Sequence, residues 1–374
     1  MASTAVIYGG PSPEHDVSIL TGLQAVRALA AGRADQPPLA LYWSKTGAWF
    51  QVEPLLEGTD FADGVPKVLS ALRLVTGPGG GFVATGRGPF GRERPLEIEA
   101  AINCCHGGPG EDGTLQAALD LAGVPYTGPT VAGAALGMDK LAFGDVAAAA
   151  GLSTLPRSLL SGDTGEVGAP GPYIVKPRFG GSSIGIDVVA DLETARARLG
   201  ANPHLRRGAV IEPYRPELVD LQVAVRTWPE LALSAIERPV RSSTSSEIYG
   251  YADKYVGGEG MASAPRELPA RLSTRLESAL REAAIKLSSL CGVRGVARLD
   301  FLCGLDNEEL FVNEINTIPG SLAKHLWVEP EVPMGVLLSD MLAEARARPS
   351  SQHTSMGADG SVLRSAATIA AKLA

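Results

Sequence analysis

Three oxygen-bearing side chains are spaced for metal binding within residues 296–320, VARLDFLCGLDNEELFVNEINTIPG. Apolar residues on either side of a polar turn predict two antiparallel strands here. Because residues i and i+2 of a strand point to one face, Glu314 and Asn316 can reach one point, where a facing Asp300 would join them. Oxygen ligands with only two formal charges suit Mg²⁺, which shares its coordination shell with substrate phosphates.

Arg298 lies two residues before Asp300 and brings a fixed positive charge to the same face of the predicted strand. A plain hairpin with solvated carboxylates would show the same pattern, since acidic residues are common at surface turns. The surrounding elements decide between these two interpretations.

Two glycine-rich turns each follow a buried-type strand and precede a helix, which is the opening pattern of an α/β domain. The first turn joins a strand at 4–8 to a helix at 18–29 and carries Glu14 where ligands of open α/β sheets bind. Its neighbours Asp16 and Ser18 are alternatively caps of the helix. The second turn, 106–114, follows a strand at 98–105 and begins with His106, which is either a ligand-binding residue or a satisfied buried histidine.

A loop rich in glycine and serine, residues 178–186, follows a strand at 173–177 that contains Lys176. It lacks the spacing of a P-loop and of a Rossmann turn. A hairpin with such a tip can close over phosphates and offer backbone N–H and hydroxyl donors, although a plain mobile hairpin has the same composition.

Two later segments complete a candidate nucleotide site. A strand at 209–214 contains Glu212 and precedes a strand that begins at Asp220, so the rigid linker between them is a candidate rim for a purine pocket. The polar, glycine-rich stretch 242–260 predicts a lid, or alternatively a disordered surface loop.

The composition excludes several classes of protein. The 374 residues exceed one typical core and predict two or three domains. The 33 basic and 41 acidic residues give a net charge of −8, which argues against general affinity for nucleic acid or anionic membranes. The sequence also lacks a membrane-spanning apolar run and a signal peptide, and its four cysteines, in apolar contexts, predict reduced thiols and a cytoplasmic protein.

Taken together, the motifs resemble the D-alanine–D-alanine ligase family of the ATP-grasp superfamily. The resemblance spans residues 5 to about 345 and keeps the family's order. It rests on GGPSPEHDVS (9–18), HGGPGEDGT (106–114), GMDK (137–140), VKPRFGGSSIGI (175–186), YGYADKY (249–255), ARLDF (297–301) and NEINTIPG (313–320).

The resemblance implies an α/β ATP-grasp fold with three domains. An open parallel α/β domain would occupy 1–130, and a small central ATP-grasp subdomain with the phosphate loop 131–225. A larger C-terminal ATP-grasp subdomain with the lid and the metal site would occupy 226–347, and a linker and tail 348–374.

The implied reaction uses ATP to phosphorylate the carboxylate of one amino acid. The amine of a second amino acid then attacks the acyl-phosphate, giving a dipeptide, ADP and phosphate. The resemblance implies two Mg²⁺ ions, with Mn²⁺ as an alternative, held by Asp300, Glu314 and Asn316. It assigns ATP binding to Lys140, Lys176, Ser182, Ser183, Glu212, Tyr214, Asp220 and, from the lid, Lys254. It assigns catalysis to Glu14, Ser182, Tyr255, Arg298 and the backbone N–H of Gly320, and substrate binding to Glu14, His106, Arg298, Lys324, His325 and Leu326.

Three positions depart from the family pattern. Asp220 stands where the family usually has glutamate, and Gly250 where the lid usually has aspartate. The segment SLAKHLW (321–327) replaces small hydroxyl residues that receive the second substrate's carboxylate. Its cationic residues would therefore clamp that carboxylate or select a different acceptor, while Tyr255 indicates an amine acceptor.

Three functions follow from this resemblance. The first is a cytoplasmic D-alanine–D-alanine ligase of peptidoglycan synthesis, a homodimer acting on small amino acids. The second is a ligase of the same fold that joins another amino-acid pair in a natural-product or resistance pathway. The third, disfavoured by the complete metal and phosphate sets, is a catalytically silent ATP-binding regulator.

Overall fold

The computed structural model describes residues 3–32, 37–86, 91–165, 167–240, 265–350, 355–365 and 369. Within these residues the strands form three sheets of seven, four and five strands. The predicted lid, 242–260, with Lys254, Tyr255 and Gly250, lies outside the described residues.

The first sheet combines a parallel centre with an antiparallel extension, in the order β6-β5-β4-β3-β2-β1-β7. The predicted parallel sheet is confined to β1, which pairs in parallel with β2 and β7. The other pairs are antiparallel because links such as the short one between β2 and β3 cannot hold a crossover. The strands are β1 (Ser3–Gly9), β2 (Leu39–Trp43), β3 (Trp49–Val52), β4 (Val68–Val75), β5 (Gly81–Ala84), β6 (Arg94–Pro95) and β7 (Ile98–Asn103).

Helices of this part follow the two predicted glycine-rich turns. The predicted helix at 18–29 begins earlier and ends later, and it buries Ile19, Leu23 and Val26. The helical segments are α1 (His15–Gly32), a 3₁₀ turn (Gly58–Phe61), α2 (Gly108–Glu111) and α3 (Thr114–Ala122).

The central part contains an antiparallel four-stranded sheet in the order β10-β9-β11-β8. Residues 131–149 form two helices rather than one, because Asp139 has an extended backbone and its side chain caps the second helix. The elements are α4 (Val131–Met138), α5 (Lys140–Ala149), β8 (Ser158–Leu160), β9 (Tyr173–Pro177), β10 (Asp187–Val189), α6 (Leu192–Ala201), a 3₁₀ helix (Pro203–Arg207) and β11 (Ala209–Pro213).

The C-terminal part contains an antiparallel five-stranded sheet in the order β14-β13-β12-β15-β16. The boundary proposed after residue 225 falls one residue before the end of β12. It would therefore assign most of this strand to the central subdomain, although the strand pairs within the C-terminal sheet. The strands are β12 (Val219–Arg226), β13 (Ala232–Pro239), β14 (Arg266–Glu267), β15 (Val296–Gly304) and β16 (Glu309–Asn316). The helices are α7 (Thr274–Leu290), a 3₁₀ helix (Gly320–Leu326), α8 (Met334–Ala347) and α9 (Ser361–Arg364).

One hydrophobic core joins the two ends of the chain. Tyr8 of β1 and Leu23 of α1 belong to the same buried cluster as Trp327 and Leu338. The C-terminal segment that follows the predicted metal site is therefore packed against the first helix and strand. No helix in the described ranges has the length and apolar character required to cross a bilayer.

We expect Trp327→Ala to lower the free energy of unfolding by about 3–5 kcal/mol, because it leaves a cavity at a fully buried position of this shared core. Urea unfolding followed by far-ultraviolet circular dichroism measures the change. Leu363→Ala, at a site that is 79% exposed, is the control. Equal unfolding midpoints for the two variants would contradict the proposed role of the core.

Candidate active site

The β15–β16 hairpin brings the four predicted residues of its polar face together. Asp300 pairs in register with Glu314, and Arg298 pairs with Asn316. The Arg298 guanidinium donates to both carboxylate oxygens of Asp300, at 2.7 and 2.7 Å, and Asn316 Nδ2 donates to Asp300 Oδ2 at 3.1 Å. Two carboxylates and an amide oxygen on one face form a donor set that fits Mg²⁺.

Lys140, the first residue of α5, lies between this hairpin and the predicted phosphate loop, residues 178–186. Its ammonium is 3.2 Å from Glu314 Oε2 and donates a hydrogen bond to the carbonyl of Gly180. The side chain is only 8% exposed, so both contacts compensate the burial of its charge. The helix start is held in turn by Asp139, whose carboxylate accepts from Leu141 N–H and from Arg178.

Glu14 connects the first glycine-rich turn to the glycine- and serine-rich loop at 178–186. The hydroxyl of Ser182 donates to Glu14 Oε1. Ser182 and Ser183 both adopt positive φ values, 52° and 58°, a conformation that non-glycine residues rarely adopt. The contact therefore places a nearly buried carboxylate at the mouth of the glycine- and serine-rich loop.

His106 joins the second glycine-rich turn to α1 and to the segment that follows β16. Its Nδ1 lies 2.7 Å from the carbonyl oxygen of Ile318, which can only accept, so Nδ1 carries the proton. Its Nε2 therefore accepts from the hydroxyl of Thr21 at 2.8 Å, and the oxygen of that hydroxyl accepts from Ser321 N–H at 3.0 Å. Burial, together with the charge of Arg298, lowers the pKa of His106 to about 4, so the ring is neutral near pH 7.

The turn held by His106 has an unusual backbone. Ser321, Leu322 and Ala323 have φ values of 49°, 50° and 51°, so three consecutive non-glycine residues are left-handed. Gly320, whose backbone N–H was assigned to catalysis, is the residue just before them and lines the substrate cavity.

Glu111 was not identified by sequence reasoning, although it belongs to the quoted motif HGGPGEDGT. Its carboxylate accepts from Gly107 N–H at 2.9 Å, Ile318 N–H at 2.8 Å and the Thr317 hydroxyl at 3.2 Å. Burial, with the nearby charge of Glu14, raises the pKa of Glu111 to about 7. This side chain fastens the second glycine-rich turn to the segment that carries Gly320.

Two cavities meet at the hairpin. One cavity lies on the side of the first sheet, and the other lies between the second and third sheets. We call them the substrate cavity and the nucleotide cavity, after the predicted residues that line them. The residues that line both cavities are Lys140, Gly180, Gly181, Gln222 and Glu314. The predicted ATP residues that line the nucleotide cavity are Lys140, Lys176, Ser183, Glu212, Tyr214 and Asp220. The predicted catalytic and substrate-binding residues that line the substrate cavity are Glu14, His106, Ser182, Arg298, Gly320 and His325.

Glu212 lies in a buried charge cluster at the nucleotide cavity. It pairs with Lys176 and accepts from Arg157 Nε at 2.9 Å. Burial alone would raise the pKa of Glu212, but these two cations bring it to about 2. Arg157 also donates to the carbonyl oxygens of Lys140 at 2.5 Å and Asn313 at 3.1 Å, and no local pattern in the sequence identified it.

The SLAKHLW segment divides between the cavity and the core. His325 lines the substrate cavity, and its Nε2 is 3.0 Å from Glu237 Oε2. Leu326 is fully buried in the core that joins the two ends of the chain. Lys324 and Leu326, also predicted to bind substrate, are not among the described residues that line either cavity.

The fold and this site define an ATP-grasp ligase: two antiparallel sheets hold one cavity, and a second cavity meets it at Lys140 and Glu314. Family comparison agrees. A model described as D-ala D-ala ligase N-terminus matches residues 3–129, and one described as D-ala D-ala ligase C-terminus matches residues 166–344. The chain belongs to the D-alanine–D-alanine ligase family and is an enzyme of the ligase class.

Individual relatives are similar along most of their length. A D-alanine–D-alanine ligase of Methylobacterium sp. (strain 4-46) is 32% identical over 366 residues, covering 92% of each chain. A D-alanine–D-alanine ligase of Mycobacterium tuberculosis (strain CDC 1551 / Oshkosh) is 32% identical over 369 residues, covering 92% of this chain and 95% of its own. The crystal structure of the Helicobacter pylori D-alanine–D-alanine ligase superposes with a TM-score of 0.70 at 25% identity, covering 91% of this chain and 99% of its own. The VanG D-Ala:D-Ser ligase of Enterococcus faecalis shares the fold, with a TM-score of 0.70 at 22% identity over 92% and 99%.

We expect the pH dependence of stability to carry the signature of His106. A pKa held near 4 in the folded state, against 6.5 ordinarily, contributes stability above pH 6.5 that is lost as the pH falls towards 4, by about 3 kcal/mol in all. His106→Gln removes the titrating group, so its free energy of unfolding should fall less between pH 7 and pH 4.5. Urea unfolding at both pH values measures the difference, and equal losses in parent and variant would contradict it.

Proposed function

We propose that the enzyme joins two D-alanine molecules at the expense of ATP, through an acyl-phosphate, to supply the dipeptide of peptidoglycan precursors. The observation that carries this proposal is the substrate cavity, which has Glu14 and Arg298 in its lining. A buried carboxylate and a buried guanidinium recognise the ammonium and the carboxylate of one small amino acid. The names of the relatives supply the identity of that amino acid.

The donor step follows from the meeting point of the two cavities. Lys140 and Lys176 bind ATP phosphates, and the phosphate loop with Ser182 and Ser183 covers them. An oxygen of the donor carboxylate attacks the γ-phosphorus, and the bond from that phosphorus to the ADP oxygen breaks. Asp300, Glu314 and Asn316 would hold Mg²⁺, which neutralises phosphate charge when bound.

The acceptor step forms the peptide bond. The amine of the second amino acid attacks the acyl carbon, the bond to the phosphate oxygen breaks, and the amine proton passes to solvent. Arg298 and the backbone N–H of Gly320 stabilise the oxygen that gains negative charge. His106 and Glu111 hold the segment bearing Gly320 and so place this donor, and both also line the substrate cavity.

Other parts of the assignment rest on the family resemblance and remain predictions. These are the roles of Lys254 and Tyr255, the adenine contacts of Glu212 and Tyr214, the ribose contact of Asp220, two metal ions rather than one, the homodimer and the cytoplasmic location. The four cysteines are free and buried, which supports a reducing compartment.

A ligase that joins a different amino-acid pair is the second candidate. The observation that favours it is His325, which lines the substrate cavity within hydrogen-bond distance of Glu237. An ionisable pair at this place gives the acceptor side of the cavity a chemistry different from that of small hydroxyl residues.

The test is phosphate release from MgATP by the purified protein, with D- and L-amino acids supplied singly and in pairs and the products identified by mass. We expect D-alanine alone to drive release and to give the dipeptide. Turnover that needs another amino acid or pair would replace the first candidate with the second. MgATP binding without turnover on any amino acid would instead identify a regulator.

We expect Arg298→Ala to lower turnover by about 10²–10³-fold, because an oxyanion donor acts mainly in the transition state. Nucleotide binding, measured by calorimetry with MgADP, should change little. Arg281→Ala, which removes a half-exposed arginine paired with Glu277 on α7, is the matched control and should keep full turnover. Near-normal turnover of the Arg298 variant would contradict the assignment of Arg298 as an oxyanion donor.

A further inference from the structure

A cluster of three ionisable side chains borders the substrate cavity away from the nucleotide. Glu237 is buried, with Oε1 3.0 Å from Arg266 Nη1 and Oε2 3.0 Å from His325 Nε2. All three residues line the substrate cavity, and none lines the nucleotide cavity. Neither Glu237 nor Arg266 belongs to the motifs that carry the family resemblance.

The sheet aligns this cluster with the metal-binding carboxylates. Glu237 pairs with Gln222 on the neighbouring strand, Gln222 with Asp300, and Asp300 with Glu314. Directly paired residues of adjacent strands project to the same face, so the row runs across four strands. Two strand spacings, about 10 Å, separate Glu237 from Asp300. A small amino acid with a hydrogen bond at each end spans that distance.

The cluster places an arginine, held by an ionised partner, in the lining of the substrate cavity. Burial alone would raise the pKa of Glu237, but the hydrogen bond and charge of His325, with the charges of Arg266 and Arg298, lower it, so Glu237 is ionised. Glu237 therefore orients the Arg266 guanidinium inside the cavity. The planar fork of a guanidinium matches the two oxygens of a carboxylate well.

We propose that Arg266, oriented by Glu237 beside His325, binds the carboxylate of the acceptor amino acid and makes the enzyme select acceptors with a free carboxylate next to the amine. The inference rests on the proposed ligase function and deepens it. A purely structural role, in which the cluster only ties β13 and β14 to the segment after Gly320, has the same geometry but predicts no effect on the choice of acceptor.

The test is a competition between two acceptors in one reaction. D-Alanine serves as donor, and equal concentrations of D-alanine and D-alaninamide compete as acceptors. The amide has no carboxylate to be phosphorylated, so it cannot act as donor. The ratio of dipeptide to dipeptide amide, measured by mass, reports the relative specificity constants of the two acceptors independently of the amount of active enzyme.

We expect the parent enzyme to favour the dipeptide and Arg266→Met to lower the product ratio by about 30-fold or more. Arg266→Lys, which keeps the charge but loses the fork, should give an intermediate ratio. Arg238→Met is the matched control, because Arg238 precedes Pro239, the partner of Arg266 across the β13–β14 ladder, and pairs with Glu267 instead. It should keep the parent ratio.

An Arg266→Met or Arg266→Lys enzyme that turns over with the parent product ratio would overturn the inference and leave the ligase function intact. Absence of any D-alanine-dependent product from the parent enzyme would instead overturn the proposed function, and this inference with it. Should the methionine variant fail to fold, Glu237→Gln gives a second measurement. It should lower the product ratio while leaving the KM for ATP unchanged, which a general loss of structure would not do.

Discussion

The active site is organised around the buried ammonium group of Lys140. A charge with so little exposure needs compensation, and it finds it in Glu314 of the C-terminal sheet and the Gly180 carbonyl of the phosphate loop. Three separate parts of the chain must therefore meet at one atom. Arg157 adds to this dependence, since it binds the Lys140 carbonyl and the Glu212 carboxylate at once. The position where the two cavities meet is therefore fixed by these charge and hydrogen-bond contacts as well as by the geometry of the sheets.

The site separates groups that must be charged from groups that must be neutral. Glu212 stays ionised despite burial because two cations flank it. His106 is neutral, with its one ring proton on Nδ1, because burial and Arg298 both oppose a positive charge. Burial and the nearby charge of Glu14 raise the pKa of Glu111 to about 7. The Glu111 carboxylate accepts from two backbone N–H groups, and the neutral imidazole of His106 donates to the Ile318 carbonyl. Together these hydrogen bonds hold the segment that carries Gly320.

Local spacing was sufficient for the parts of the site that lie on a single hairpin or turn. The two-residue period of a strand predicted that Arg298, Asp300, Glu314 and Asn316 share a face, and the register confirms it. It could not identify Arg157, whose role depends on contacts with distant strands. The break between α4 and α5 at Asp139 is likewise hidden in an alanine-rich stretch, because only the extended backbone of the capping residue interrupts the helix there.

The resemblance supplied roles but not contacts. Its assignment of Leu326 to substrate binding stays a prediction, and the structure buries that side chain in the core shared with α1. Glu237 and Arg266 lie outside the matched motifs, so only the three-dimensional ladder from β13 to β16 brings them near the metal-binding carboxylates.

The left-handed turn at 321–323 has a thermodynamic consequence. Three non-glycine residues with positive φ are costly on their own. The burial of Leu322 and Ala323 in the shared core and the bond from Ser321 N–H to Thr21 offset that cost. The acceptor side of the cavity therefore takes its shape from the docking of the N-terminal domain. By reciprocity, an amino acid that requires the ordered turn also raises the affinity of the two domains for each other, so substrate occupancy and interdomain cohesion rise together.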